Sequence, residues 1–503
     1  MMIRTTLKQG RRSACAFIAA VGISVAAAAC TTPEGGQSQD SSSLAISLPF
    51  KPVASLSPFS DDAVLNTRMG IAETLVTLDA DGKPQPKLAE SWTTPDPNKV
   101  VFTLRDGIKF HDGTPVNAES IVTSLHHAWD APSRPKGLGK KALTFEATGD
   151  REVTITSEVA DPILPQRFAD PGTVILSQDA YTGDTPTVKG HGTGPFQLSE
   201  VDSTSATATK YADYWDGAPK LERLTVRFIE DSNARANAIR AGEVSMAQAV
   251  PIAQLGELRD LTIDSTPLPR GVYLHLNTSK GEFADPAIRA AAAQAVRPDA
   301  IVDSIYEGHA GKTHGSLFNE KAEWASHVDS HNNTDNAADA HGKAITLATW
   351  KERPELGEVA SVVADQLREA GFEVNVVVRD YKSMEPALLG GEYDAVIGSR
   401  NYQSGAADPV SFLASDYTCE GSYNLSRYCN PEIDEAIAKA DGTTDNEERY
   451  TQAAEVGAKI VSDNAVIPLA HEYSINAYNT VSNLNFDPFE RLLVTKAVSY
   501  THL

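Results

Sequence analysis

Side chains able to do covalent chemistry are scarce in this sequence, and their spacing does not suit it. There is no GxSxG run to lift a serine nucleophile onto a strand–helix elbow, and no HExxH pair to hold zinc on one helix face. His126 and His127 are adjacent, so on a helix they point in different directions and form no metal pair. His309, His314, His327, His331 and His341 are crowded relative to the other histidines. With Asp329, Asp335 and Asp339 they have the ligand types that a transition metal accepts. Their intervals are irregular and Lys321 to Gly342 is polar, so a solvated insert is expected rather than a metal centre. His191-Gly-Thr-Gly-Pro-Phe196 is a glycine-rich turn, but it lacks the GxxxxGK of a phosphate cradle. No catalytic set, no metal site and no cofactor is expected.

The four cysteines sort by position. Cys15 lies in an N-terminal stretch where Arg4, Lys8, Arg11 and Arg12 accompany a run of small apolar residues, Ala14 to Ala29. That run is too short and too rich in alanine to span a bilayer well, and residues 1–29 read as an export signal. It ends in Ala27-Ala28-Ala29-Cys30, which looks like a lipobox with Cys30 as the lipidated residue; ordinary secretion is the alternative. Residues 30–43 are polar and form a flexible tether. A lipid anchor with a tether would hold a soluble body outside the membrane and close to it. Cys419 and Cys429 remain, ten apart. Oxidising surroundings favour a disulfide between them, with two free thiols as the alternative. No CxxC spacing points to zinc.

The chain's 503 residues are too many for one ordinary core, so two or three domains are expected. Apolar residues at 41% and aromatics at 7% are those of a globular chain. The net charge is −23. Without residues 1–29 the balance is 40 basic against 67 acidic residues, or −27. That argues against nucleic acid as a partner, since phosphate needs a basic surface.

The elements that must position any site alternate strand and helix. Leu44 to Pro49 predicts the first strand, and Asn66 to Thr74 a short helix. Val100, Phe102 and Leu104 alternate with polar neighbours at period two, a strand closed by Asp106-Gly107. A helix starts near Glu119. Arg151 to Ser157 and Val174 to Leu176 predict strands. Leu224, Val226 and Phe228 line one face of another. Asn233 to Gly242 reads as a helix and Glu243 to Ala249 as the next strand. Ala344 to Trp350, the helical face Leu356, Val359, Val363 and Leu367, and the alternating Phe372 to Val378 make a βαβ unit with parallel pairing. Tyr393 to Ser399 and Val466 to Leu469 predict strands, and Ile433 to Ala440 and Glu447 to Ser462 helices. Tyr500 to Leu503 show no pattern.

Three stretches resemble one family closely. LAESW (Leu88 to Trp92), FTLRDGIKFHDGTPVNAESIV (Phe102 to Val122) and DYWDGAPKLERLTVRFIED (Asp213 to Asp231) are similar to the extracellular solute-binding proteins of the peptide/nickel class, family 5, which serve ABC importers. Gly192 to Phe196 matches the family's G-T-G-P-F. The resemblance covers nearly the whole mature chain. It implies an α/β chain with the type II periplasmic-binding-protein fold, two large lobes around a cleft plus an extra small domain. Lobe I would be 44–75, 186–270 and 470–503, the small domain 76–185, and lobe II 271–469.

The same resemblance implies the cleft. Peptide-binding relatives hydrogen-bond an extended ligand with a strand that precedes a D-P or E-P pair. Asp408-Pro409 with Ser411-Phe412-Leu413 sets the register here, so Asn401, Tyr402, Gln403 and Ser404 would pair with ligand. Gly405 stands where relatives that grip an α-amino group carry an acid. Asp61, Asp62 or Asp408 would then take that role, or the ligand has no free amine there. Asp408 has a turn-forming role as its alternative. Arg400 could meet a ligand carboxylate bidentately or be an exposed charge. Tyr402 could pack on ligand or in a core. Trp350 would wall the cleft, and Tyr423 and Asn424, inside the Cys419–Cys429 loop, would overhang it.

The expected protein is a monomer and not an enzyme. It would capture oligopeptides or dipeptides outside the membrane and deliver them to ABC permease and ATPase subunits. Nickel or another metal-chelate complex is the alternative solute. A secreted hydrolase is the reading from a different class.

Overall fold

The computed structural model describes residues 42–403 and 406–500, apart from the side chains of Glu323 and Pro354. The expected signal, the Cys30 anchor, Ser404, Gly405 and residues 501–503 lie outside the described residues.

One sheet of eleven strands organises the body. Its centre is a pair of long antiparallel strands, Thr262–Leu276 and Val466–Tyr478. On one side they are followed by Ala395–Asn401, Ala344–Trp350 and Glu373–Arg379. On the other they lead through Met246–Ala247 to Ser43–Leu48, Arg223–Phe228, Ser205–Lys210 and Phe196–Val201. The long strands therefore belong to both halves. Their register slips between Pro267 and Gly271 and again between Val272 and Tyr273. Proline has no N–H for a ladder, so Pro267 and Pro269 loosen the pair midway between the halves.

Each half is built on local signals. In lobe II, Ala344–Trp350 pairs in parallel with Glu373–Arg379 and with Ala395–Asn401. The helix Pro354–Glu369 crosses between the first two and buries Leu356, Val359, Val363 and Leu367 completely. It stops before Gly371, whose φ is +102° and where a Cβ would lie 2.9 Å from His341 Nδ1. In lobe I, Ser43–Leu48 runs parallel to Arg223–Phe228, with Leu44, Ile46 and Leu48 buried. The small domain is a four-stranded antiparallel sheet, Ala89–Asp96, Lys99–Leu104, Glu152–Ser157 and Leu143–Gly149 in spatial order. The helix Ala118–Asp130 covers it. Asn117 and Ser120 cap that helix reciprocally, each side-chain oxygen accepting the other's backbone N–H at 2.9 and 3.0 Å.

Several elements differ from the sequence expectation. The first helix is Ala63–Arg68, not Asn66 to Thr74. It cannot continue, because Gly70 has φ +65° and a Cβ there would stand 2.7 Å from the Val494 carbonyl. Val174 to Leu176 form no ladder; they are buried between short 3₁₀ turns, and Ile175 N–H donates to the Glu73 carbonyl at 2.9 Å. An apolar run of three does not distinguish a strand from a buried connection. Glu243 to Ala249 contributes only Met246–Ala247 to the sheet. The strand from Val272 begins ten residues earlier, at Thr262. The predicted strand Tyr393 to Ser399 runs from Ala395 to Asn401. Tyr500 has a place after all: Ser499–Tyr500 pairs with Val481–Ser482, and its hydroxyl donates to the Ser43 carbonyl at 3.0 Å. Among the described residues no helix is long and apolar enough to cross a membrane.

Candidate ligand-binding site

The strands Ala344–Trp350, Glu373–Arg379 and Ala395–Asn401 are mutually parallel neighbours, and they end together. In open α/β sheets the crevice beyond such carboxyl ends receives ligands, because loops diverge there. Trp350 closes the first strand and meets the Tyr381 ring edge-on, with centroids 5.2 Å apart. The Tyr381 and Tyr423 hydroxyls are hydrogen-bonded at 2.8 Å. Tyr423 lies flat against Arg400, whose guanidinium carbon is 3.7 Å from the ring centre. Trp350, Arg400 and Tyr423 are therefore brought together. The Arg400 fork, however, already holds Asp416, at 2.6 and 2.7 Å. Burial works against the charge of Arg400, but Asp416 outweighs it and the guanidinium pKa rises.

A cavity of about 170 Å³ lies just past the end of one of them, Ala395–Asn401, where Tyr402 and Gln403 line it. Four stretches enclose it: Ala80 and Asp81 of the small domain, Thr266 to Pro269 of the first long strand, Asn319 with Lys321, Ala322 and Trp324 at the start of the polar insert, and Pro488 with Phe489 near the C-terminus. Tyr402 and Gln403 form its remaining wall. The expected ligand-pairing strand Asn401 to Ser404 is corrected here: the strand ends at Asn401, and Tyr402 and Gln403 lie in a turn. Tyr402 N–H is already bonded to the Pro269 carbonyl at 2.9 Å. Its ring packs edge-on against Phe318, and its hydroxyl accepts Asn319 N–H at 3.1 Å. Gln403 is held locally, its N–H donating to Asn401 Oδ1 at 2.8 Å and its side-chain amide to the Ala407 carbonyl at 3.2 Å.

The other expected contacts are engaged inside the protein. Asp62 is buried and accepts the backbone N–H groups of Val53, Ala54 and Leu56 at 2.8 to 3.0 Å. Asp61 beside it is exposed. Asp408 caps the helix Pro409–Asp416 and is paired with Arg449. Asn424 staples the disulfide loop, donating to the Thr418 and Tyr428 carbonyls. Cys419 and Cys429 are joined.

Sequence reasoning missed a polar group beside the crevice. Glu472, on the second long strand, accepts from Arg353 Nη1 at 2.5 Å and from Ser399 Oγ at 2.6 Å. Arg270 Nε stands 3.7 Å from the same carboxylate. Asp81 was missed too; its carboxylate makes no hydrogen bond or ion pair with the described residues, and it lines the cavity. The available signal was positional: Arg353 lies in the short turn between the parallel strand Ala344–Trp350 and the helix it caps, where crevice groups are found.

Two other clusters do not do chemistry. Ser177 Oγ is 2.7 Å from His191 Nδ1, and Asp112 Oδ2 is 3.5 Å from that same nitrogen. A Ser-His-Asp relay needs the acid and the hydroxyl on opposite ring nitrogens, so this is no triad. His314 faces Glu320 just before the insert and His331 faces Asp329 within it, both in exposed pairs. Among the described residues no three His, Cys, Asp or Glu side chains converge on a metal position.

The description of bacterial extracellular solute-binding proteins, family 5, matches residues 83–424. The chain belongs to that family. This family 5 protein is 26% identical over 437 residues to the nickel-binding protein NikA of Staphylococcus aureus (strain NCTC 8325), covering 83% of this chain and 85% of that one. It is 27% identical over 452 residues to the glutathione-binding protein GsiB of Pectobacterium atrosepticum, covering 84% and 87%. In three dimensions it resembles NikA from Staphylococcus aureus in complex with Ni(L-His)2, with a TM-score of 0.74, 26% identity and coverage of 92% and 100%. A dipeptide binding protein from Pseudoalteromonas sp. SM9913 in complex with Met-Leu shares the fold at 20% identity, with a TM-score of 0.73 and coverage of 91% and 100%. The family 5 protein is thus a substrate-binding component of an ABC transporter and not an enzyme. Such proteins hand small solutes or peptides to permease and ATPase subunits. The family is extracellular, which puts this member outside the cytoplasm.

Proposed function

We propose that this protein captures short peptides, of about dipeptide size, and delivers them to its permease while tethered to the membrane through lipidated Cys30. The cavity carries the reading. Its volume of about 170 Å³ lies below the roughly 300–1,000 Å³ typical of drug-sized ligand sites. That favours a short peptide over a long one. Leu268, Trp324 and Phe489 offer apolar contact to side chains, and Asp81 offers a carboxylate to an α-ammonium group. Asp81 thus replaces Asp61, Asp62 and Asp408 as the amine partner, since the last two are engaged elsewhere. The walls come from the long strand Thr262–Leu276, from Ala80 and Asp81, from Tyr402 and Gln403, and from Pro488 and Phe489. Rotation about the strands near Pro267 would open and close the site.

A nickel chelate is the second reading, favoured by the 26% identity to a protein whose structure holds Ni(L-His)2. There the solute would bring its own metal ligands.

Mass spectrometry of small molecules released from natively purified protein tests both. Calorimetry with a dipeptide and its N-acetyl form tests the assignment of Asp81. Acetylation is expected to weaken binding by about 1.5–3 kcal/mol, the range for a hydrogen bond to a charged group. Asp81→Asn should remove most of that difference. Equal binding of both forms by the wild type would refute the role of Asp81.

A further inference from the structure

The large sheet has two edges, and they are finished differently. At the lobe I edge, Phe196–Val201 is interrupted by a register shift between Leu198 and Glu200. Such a bulge turns an edge away from further pairing. At the lobe II edge, Glu373–Arg379 runs seven residues beside Ala344–Trp350 with no register shift, no proline and no glycine. Glu373 N–H donates to the Lys343 carbonyl, and the Arg379 carbonyl accepts Lys351 N–H. These residues therefore turn their backbone groups inward, and the alternate residues Val374, Val376 and Val378 turn theirs outward. Arg368 Nη2 meets the outward Val374 carbonyl at 2.7 Å and leaves that oxygen a second lone pair. Val374 and Val376 are only half-buried, and Val378 is 45% exposed.

This edge, Glu-Val-Asn-Val-Val-Val-Arg, is complementary to its own reverse. Residues directly opposite in an antiparallel pair lie on the same face and interact. A second copy laid antiparallel about Val376 sets Val374 against Val378 of that copy, and Val376 against its own counterpart. On the other face it sets Glu373 against Arg379 at both ends. Among the described residues, neither Glu373 nor Arg379 has an ion pair or a side-chain hydrogen bond of its own. Sliding the second copy by two residues in either direction separates the two charges.

We propose that this protein associates with a second copy of itself through the edge Glu373–Arg379, the two large sheets joining across a two-fold axis at Val376. The monomer expected from the sequence is then one side of a concentration-dependent equilibrium. Association is weak, because one strand pair offers little area beside a standard interface. A membrane tether would favour it by confining copies to one surface. The crevice lies beyond the carboxyl ends of these strands, so antiparallel pairing turns the two crevices in opposite directions. A pair thus presents only one crevice to a given permease.

Sedimentation velocity of the mature protein over a concentration series should show the mass rising from one chain toward two. Hydrogen exchange at the concentrated end should show new protection of the Val376 and Val378 amides. Val376→Pro should abolish association with little change in melting temperature, because that N–H serves no ladder bond inside one chain. Val378→Lys, at an open surface position, should abolish it too and guards against a proline that unfolds the strand. Arg379→Glu and Glu373→Arg should each weaken self-association by roughly tenfold. Mixed together, those two variants should pair with each other, and the double change Glu373→Arg, Arg379→Glu should associate like the wild type. A wild type that stays one chain at every concentration would overturn the proposal, as would a dimer that survives both Val376→Pro and Val378→Lys. So would a double change that fails to regain what the single changes lose. Protection of these amides by added peptide, with the protein still one chain, would give the edge to a peptide strand and overturn it as well.

Discussion

Arg449 closes a buried fork on Asp408. Nε meets Oδ1 at 2.9 Å and Nη2 meets Oδ2 at 2.8 Å, with both side chains fully inaccessible to solvent. Asp408 also accepts Ser411 N–H, and Arg449 also donates to the Ala440 and Asp441 carbonyls. The pair therefore ties the start of the helix Pro409–Asp416 to the helices Pro431–Gly442 and Asn446–Ser462. Removing one partner would leave the other charge buried and alone, which costs about 3–5 kcal/mol. Asp408→Asn should lower stability by that amount in urea unfolding, while solute affinity below the transition changes little. A collapse of affinity at unchanged stability would instead make Asp408 a ligand contact.

Gln166 is expected to bias lobe closure. It belongs to the small domain, yet its amide donates to the Ala406 and Ala407 carbonyls at 2.6 and 3.0 Å and to the Tyr450 hydroxyl at 3.2 Å. Those groups belong to lobe II. The half-buried Lys141–Asp441 pair nearby makes a second contact of the same kind at 3.3 Å. Gln166→Ala should weaken solute binding by about 1–2 kcal/mol, the worth of one or two such bonds. X-ray scattering should show a larger radius of gyration than the wild type at equal, subsaturating solute. An identical profile would mean that the contact does not contribute to closing.

The disulfide should stabilise through its short loop. Closing the loop from Cys419 to Cys429 removes chain entropy from the unfolded state worth about 2–3 kcal/mol. The double change Cys419→Ser, Cys429→Ser should lower the unfolding free energy by that much. It should also weaken solute binding, because Tyr423, stacked on Arg400, is carried on this loop. Titration of unreduced protein should find no free thiol in the body.

Two histidines set an acid limit. Burial pushes the ring of His275 down to about 3, with Arg400 assisting, and burial does the same to His471. In the unfolded chain each ring takes up a proton near its ordinary value of about 6.5. Below that pH the unfolded state binds protons that the folded state refuses, so stability falls as pH falls from about 6.5 toward 3. The slope is about 1.4 kcal/mol per pH unit per ring, or on the order of 2 kcal/mol each between pH 6.5 and 5. Replacing His471 by Leu should flatten the difference between unfolding curves recorded at pH 7 and pH 5. An unchanged slope would show that the ring is protonated in the folded protein.

What the sequence determined by itself is what short-range pattern determines. Alternation at period two and the 3.6-residue stripe of Leu356, Val359, Val363 and Leu367 define which faces go inward, so the βαβ unit from Ala344 to Arg379 was legible. So was the helix start near Glu119, because the signals for it lie within one turn. The family's stretches around Leu88, Phe102 and Asp213 carried the lobed fold. The tertiary structure alone decided how the polar side chains are used. Asp408 finds Arg449 across 41 residues, and Gln166 finds Ala406 across 240. Hydrogen bonds act only at contact distance, so a partner that distant in the chain leaves no local trace. For the same reason Asp62 offered itself in the sequence as a ligand contact and is occupied, and Asp408, which the sequence left open between ligand contact and turn former, is buried against Arg449.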